Sequence, residues 1–115
     1  MKKVIILVAS KGENVKLADT IFTEMKSFDF ETETINLIDF NLPLYSSEEE
    51  DKEFPKKAYE LSEKVKSAQS LIVVAPEYNG SMPPSLNNAI CWISRTGGDW
   101  RQAFNSKPTL IASHS

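Results

Sequence analysis

The sequence predicts an α/β protein built on a doubly wound parallel sheet, with helical layers on both faces. Three observations predict it. Short aliphatic runs recur at residues 4–9, 71–75 and 109–112. Segments with apolar residues at helical spacing lie between them. Irregular loops rich in polar residues follow the first and second of these runs. Such alternation folds as parallel strands joined by right-handed crossovers in three layers, α/β/α.

The elements follow in order. Val4-Ile5-Ile6-Leu7-Val8-Ala9 is a continuous aliphatic run, as in a strand covered on both faces. Over 15–28, Leu17, Ala18, Ile21, Phe22, Met25 and Phe28 recur at helical spacing, with Asn14 as the expected N-cap. Residues 33–38 predict a less apolar second strand with Ile35 and Leu37 on one face, suited to a sheet edge. Asn41-Leu42-Pro43-Leu44-Tyr45 reads as a stiff loop, and acidic residues 46–53 as a mobile surface stretch. Over 55–69, Ala58, Leu61, Val65 and Ala68 form one apolar stripe behind Pro55. A third strand spans 71–75, and a helix runs from Pro84 to about Arg95, where Thr96-Gly97-Gly98-Asp99 ends it. Residues 109–112 predict a buried fourth strand. Helices follow only the first three strands, so one sheet face is undersupplied. A longer domain or a partner chain would supply the missing layer.

Composition narrows the function classes. The 115 residues predict one domain over 1–115, and the 41% hydrophobic and 25% charged shares are ordinary for a globular protein. The net charge is −3 without a Lys/Arg cluster, which sets nucleic acid aside. Lys2-Lys3 before the first apolar run is too weak a pattern for a signal peptide, and no run is long enough to span a membrane. A single cysteine, Cys91, precludes an internal disulfide and fits a reducing cytoplasm. One histidine among scattered carboxylates makes no metal site and no Ser-His-Asp arrangement.

Two loops stand at the carboxyl ends of strands, where open α/β sheets bind ligands. The first is Ala9-Ser10-Lys11-Gly12-Glu13-Asn14. Amides at a helix N-terminus attract anions, Ser10 and Asn14 add donors, and Lys11 or Lys16 adds charge. Glu13 opposes an anion, and taken alone the loop is more simply a capped βα turn. It is neither a P-loop nor G-x-G-x-x-G, so a tightly held dinucleotide is not indicated. The second loop, Pro76-Glu77-Tyr78-Asn79-Gly80-Ser81, has more donors than a connector needs. Pro76 and Pro83 stiffen it, the amides around Asn79 and Gly80 are free, and Tyr78 supplies a ring. That combination suits a flat, hydrogen-bonding heterocycle. Glu77 has no visible partner to tune it and reads as a bracing carboxylate rather than a base. Cys91 and Trp92 read as packing residues. His114 ends the fourth strand on the same rim, as a ligand contact or an ordinary surface histidine.

The run Pro76-Glu77-Tyr78-Asn79-Gly80-Ser81-Met82-Pro83, with Leu86, Asn88, Ala89, Ile90, Trp92, Ser94 and Arg95, resembles the NADPH-dependent FMN reductase family of flavodoxin-like quinone, azo-dye and chromate reductases. Ser10, Asn14, Leu17 and Ala18, Ile35-Asn36-Leu37, Leu42-Pro43-Leu44-Tyr45 and Lys107-Pro108 extend the likeness over essentially the whole chain. The resemblance implies a flavodoxin-like fold with FMN on the carboxyl rim. Ser10, Lys11 and Asn14 would face the phosphate, Pro76 to Ser81 would wrap the isoalloxazine, and Ser113, His114 and Ser115 would begin a third loop. FMN would carry the chemistry, so no side chain is assigned as catalytic. NADPH or NADH would be a transient co-substrate, and a flavin, quinone, azo compound or metal oxyanion the acceptor. The family also implies a homodimer, for which the helix over 84–95 is the candidate surface if Trp92 is exposed. The first loop is shorter than the family's and has no arginine, and Asn87 and Cys91 replace a common Lys and Asp. The family domain continues through a further helix, strand and helix. A non-catalytic electron carrier or interaction module is the alternative reading.

Overall fold

The computed structural model describes residues 2–114. Four parallel strands, β1 (Lys2–Val8), β2 (Phe30–Asn36), β3 (Ser70–Val74) and β4 (Thr109–Ala112), form one sheet in the order β2-β1-β3-β4. The helices are α1 (Glu13–Lys26), α2 (Leu37–Phe40), α3 (Ser47–Lys52), α4 (Lys56–Ser67) and α5 (Pro84–Ser94), with a 3-10 turn at Trp100–Ala103. The predicted α/β doubly wound class holds, and β2 is the edge strand that its sparse apolar pattern indicates.

Alternation along β1 builds two cores, because successive side chains point to opposite faces. Ile5, Leu7 and Ala9 join Ile35, Leu61 and Val65 under α4 and α5. Val4, Ile6 and Val8 join Ile72, Val74 and Ala18 under α1. Ala58, Leu61 and Val65 are fully buried, so the stripe read over 55–69 is the buried face of α4.

Several sequence expectations are corrected. β2 starts earlier than predicted and ends before Leu37, because Asn36 Oδ1 accepts the Ile38 N–H at 2.9 Å and starts a helical turn. The acidic stretch over 46–53 contains α3. Ser46 Oγ accepts the Glu49 N–H at 3.1 Å, and the acidic first turn complements the helix dipole. Asn14 does not cap α1; Gly12 holds that position, and Asn14 lies inside the first turn with its side chain occupied elsewhere. The fourth strand is not buried. Leu110 and Ile111 are 57% and 76% exposed, because β4 is an edge strand whose side chains alternate between two faces that no described helix covers.

Trp92 also departs from the exposed position that a subunit contact would need. It is fully buried, with ring centroids 5.0 Å from Tyr45 and 5.3 Å from Phe54 in edge contacts. Its Nε1 donates to Pro43 O at 2.7 Å, and Asn88 Nδ2 donates to the same oxygen at 3.0 Å. The stiff loop over 41–45 is thus moored to α5. Arg95 adds a forked ion pair to Glu50, which also accepts from Tyr45 Oη at 2.8 Å.

The ion pairs set an acid limit. The hydrogen bond from Lys64 holds the Glu33 carboxyl below its ordinary range, and the bonds from Arg95 and Tyr45 do the same for Glu50. A carboxylate with a lowered folded pKa adds stability that is present above its unfolded pKa of about 4.3 and lost as pH falls through the folded value. Thermal stability is therefore expected to fall below about pH 4.5. The variant Glu33→Gln should flatten that fall, and equal pH slopes in variant and parent would show that the pair contributes nothing.

Candidate functional site

β1 and β3 are neighbours, yet the chain leaves β1 toward β2 on one side and returns to β3 on the other. That reversal opens a crevice at the strands' carboxyl ends. A cleft of about 390 Å³ lies there, lined by Ser10, Lys11, Gly12, Glu13, Asn14, Pro76, Tyr78 and His114. It unites the first loop, the loop after β3 and His114, two residues beyond β4. A larger cleft of about 540 Å³ runs along the β2 edge, but its Lys11 and Lys64 are paired with Asp39 and Glu33.

Side chains from two other elements hold the first loop, and one of its own side chains ties it to His114. Ser85 Oγ, in the first turn of α5, donates to Ala9 O at 3.1 Å. Asn36 Nδ2, at the end of β2, donates to Ser10 O at 2.9 Å. Asn14 Nδ2 donates to His114 O at 3.2 Å, and Asn14 Oδ1 accepts the His114 N–H at 2.9 Å. Trans peptide geometry sets each N–H opposite the preceding C=O. Fixing the Ala9 and Ser10 carbonyls therefore orients the Ser10 and Lys11 amides.

The donors of this loop fall into three states. Ser10 is buried, and its Oγ has no partner among the described residues. The Glu13 and Asn14 amides begin a 14-residue helix, where N–H groups lack intrahelical acceptors. The Lys11 ammonium lies 2.6 Å from Asp39 Oδ1, with both side chains more than half exposed. Such a pair holds weakly, at about 0–1 kcal/mol.

After β3 the chain turns sharply. Tyr78 N–H donates to Ser81 O at 2.8 Å, and Ser81 N–H donates to Tyr78 O at 2.9 Å. Asn79 and Gly80 both have positive φ, 52° and 77°, which is the Asn-Gly pattern of a type I′ turn. Their amides have no acceptor among the described residues, whereas the Tyr78 and Ser81 amides are consumed. Tyr78 is half exposed over the cleft. Glu77, Asn79, Gly80 and Ser81 are exposed and lie outside its lining, as does Ser113. Ser115 lies outside the described residues. Sequence reasoning missed the tethers Asn36 and Ser85, and no local signal marks them. Gly12 as a lining residue was legible from its place between Lys11 and Glu13.

The model of the family described as NADPH-dependent FMN reductase matches residues 2–115. A quinone reductase of Escherichia coli K12 is 38% identical over 76 residues, covering 65% of this chain and 39% of that protein. A 2-hydroxy-1,4-benzoquinone reductase of Burkholderia sp is 41% identical over 70 residues, covering 61% of this chain and 37% of that protein. The chain thus matches about two fifths of the length of these curated relatives. Among solved structures, a flavoenzyme NAD(P)H:(acceptor) oxidoreductase from Paracoccus denitrificans superposes with a TM-score of 0.80 at 24% identity. That match covers 100% of this chain and 62% of the other, and it shows the flavodoxin-like fold.

Proposed function

Because the chain belongs to the NADPH-dependent FMN reductase family, we propose that it is an FMN-dependent NAD(P)H oxidoreductase acting on a quinone or a similar small acceptor. The observation that carries this reading is the cleft at the β1/β3 switch point, with its orphaned Ser10 hydroxyl and free helix-terminal amides. Those donors fit a phosphate. The buried hydroxyl needs an acceptor, and the first-turn amides carry partial positive charge. Glu13 in the lining and the pairing of Lys11 with Asp39 make the fit less cationic than a P-loop.

FMN held in the cleft would supply the redox chemistry that links NAD(P)H to the acceptor. The chain's own residues bind and orient it. Ser10 and the amides of Glu13 and Asn14 would hold the phosphate end. Pro76 and Tyr78 would wall the ring end, and the free amides of Asn79 and Gly80 in the adjoining turn would be available to its polar edge. Lys11 adds charge once released from Asp39. His114 would close the third side, and Ser113, Glu77 and Ser81 would extend the rim.

The reading includes a homodimer in the cytoplasm. With Trp92 buried, apolar side chains that could serve such a contact near α5 include Ile38 and Leu44, both exposed beside Pro84 and Ser85 at its start. No helix among the described residues is long and apolar enough to cross a membrane. Steady-state oxidation of NADPH and NADH with a benzoquinone tests the proposal. Turnover that requires FMN is expected. Tight FMN retention with negligible NAD(P)H oxidation would instead make the protein an electron carrier.

A further inference from the structure

We propose that Asn14 is a positioning residue that latches the third rim loop onto helix α1 and so sets the cleft for FMN; the role toward FMN rests on the function proposed above. Asn14 is 4% exposed, and 100 residues separate it from His114. Its carboxamide pairs with both main-chain groups of His114, donating at 3.2 Å and accepting at 2.9 Å. A primary amide carries one acceptor and a donor side by side, so it reads a peptide's N–H and C=O as a neighbouring strand would. Aspartate lacks the donor, and serine and alanine cannot make both bonds.

The consequence is geometric. His114 and residues 10–14 line one cleft, and this side chain joins them. β4 is held by its backbone ladder to β3, which ends at the bond from Ala75 N–H to Ala112 O at 3.1 Å, and its Leu110 and Ile111 are largely exposed; beyond Ala112 the Asn14 pair is what ties His114 down. An asparagine spent this way no longer offers its side chain to a phosphate. Asn14 therefore acts on FMN through His114 and cleft shape, by preorganisation.

Amide hydrogen exchange on the cofactor-free full chain reads the latch directly. In Asn14→Ala the His114 amide is expected to exchange on the order of 10-fold faster or more, with Ile111 and Ala112 unchanged. Equal exchange at His114 in both chains overturns the latch, whatever flavin does. Flavin affinity then separates the roles. Asn14→Ala should weaken FMN and riboflavin by a similar factor, roughly 10-fold, because cleft shape serves both. Loss confined to FMN would make Asn14 a phosphate ligand and overturn the positioning role, as would no loss for either. If the parent chain binds neither flavin, the FMN reading fails while the exchange result still decides the latch. Should Asn14→Ala unfold, His114→Pro removes the N–H from the other side and should reproduce the affinity loss for both flavins. Unchanged affinity in that variant would overturn the proposal.

Discussion

Replacing Ser10 with alanine is expected to weaken FMN binding roughly 10–100-fold without destabilising the ligand-free chain. A hydrogen bond to a charged group contributes about 1.5–3 kcal/mol, which is the source of the affinity loss. The opposite sign on stability comes from the same atom. Ser10 Oγ is buried without a partner among the described residues, and a buried unsatisfied hydroxyl costs free energy that alanine does not incur. Ligand-free stability should be unchanged or higher by up to ~1–2 kcal/mol. Denaturant unfolding and flavin fluorescence quenching measure the two quantities separately. A fall in both would mean that the hydroxyl is bonded in the free protein and serves packing rather than ligand.

The largest loss of stability is expected from Trp92→Ala. Removing a fully buried indole costs about 3–5 kcal/mol, against a total of about 5–15 kcal/mol for a domain. Two aromatic edge contacts and the bond to Pro43 O disappear together, and the loop over 41–45 loses one of its moorings. Trp92→Phe keeps most of the ring volume, and Asn88 still serves Pro43 O. It should cost about 1 kcal/mol. Urea midpoints for the two variants check the contrast. Equal effects would mean that the indole N–H, not ring packing, dominates.

The fold was legible wherever hydrophobic period decides structure. The aliphatic runs became β1, β3 and β4, and the stripe of Ala58, Leu61 and Val65 became the buried face of α4. Boundaries failed where a single cap overrides composition. Asn36 turns Leu37 and Ile38 into a helical turn, although Ile35 and Leu37 alternate as strand residues do. Ser46 starts α3 in a stretch whose charge suggests mobility. Exposure of β4 was not visible locally. An apolar run says nothing about whether a neighbour covers it, and Leu110 looks the same in a central strand and at an edge.

The candidate site divides in the same way. Ser10, Lys11, Asn14, Pro76, Tyr78 and His114 were readable because strand ends fix the rim, and the structure gathers all six around one cleft. What Asn14 does there was not readable. A residue in a helix's first turn looks like a cap, and its partner lies at the far end of the chain. The expected spread of free amides over the loop after β3 also narrowed, because the Tyr78 and Ser81 amides close the turn on each other.

The central claim is that the rim cleft binds FMN, and the visible absorption spectrum after FMN addition and desalting tests it most directly. Flavin bands retained with the parent chain, and reduced with Ser10→Ala at equal loading, are the predicted result. Equal retention by both proteins, or none by a parent chain shown to be folded by its near-ultraviolet circular dichroism, would contradict it.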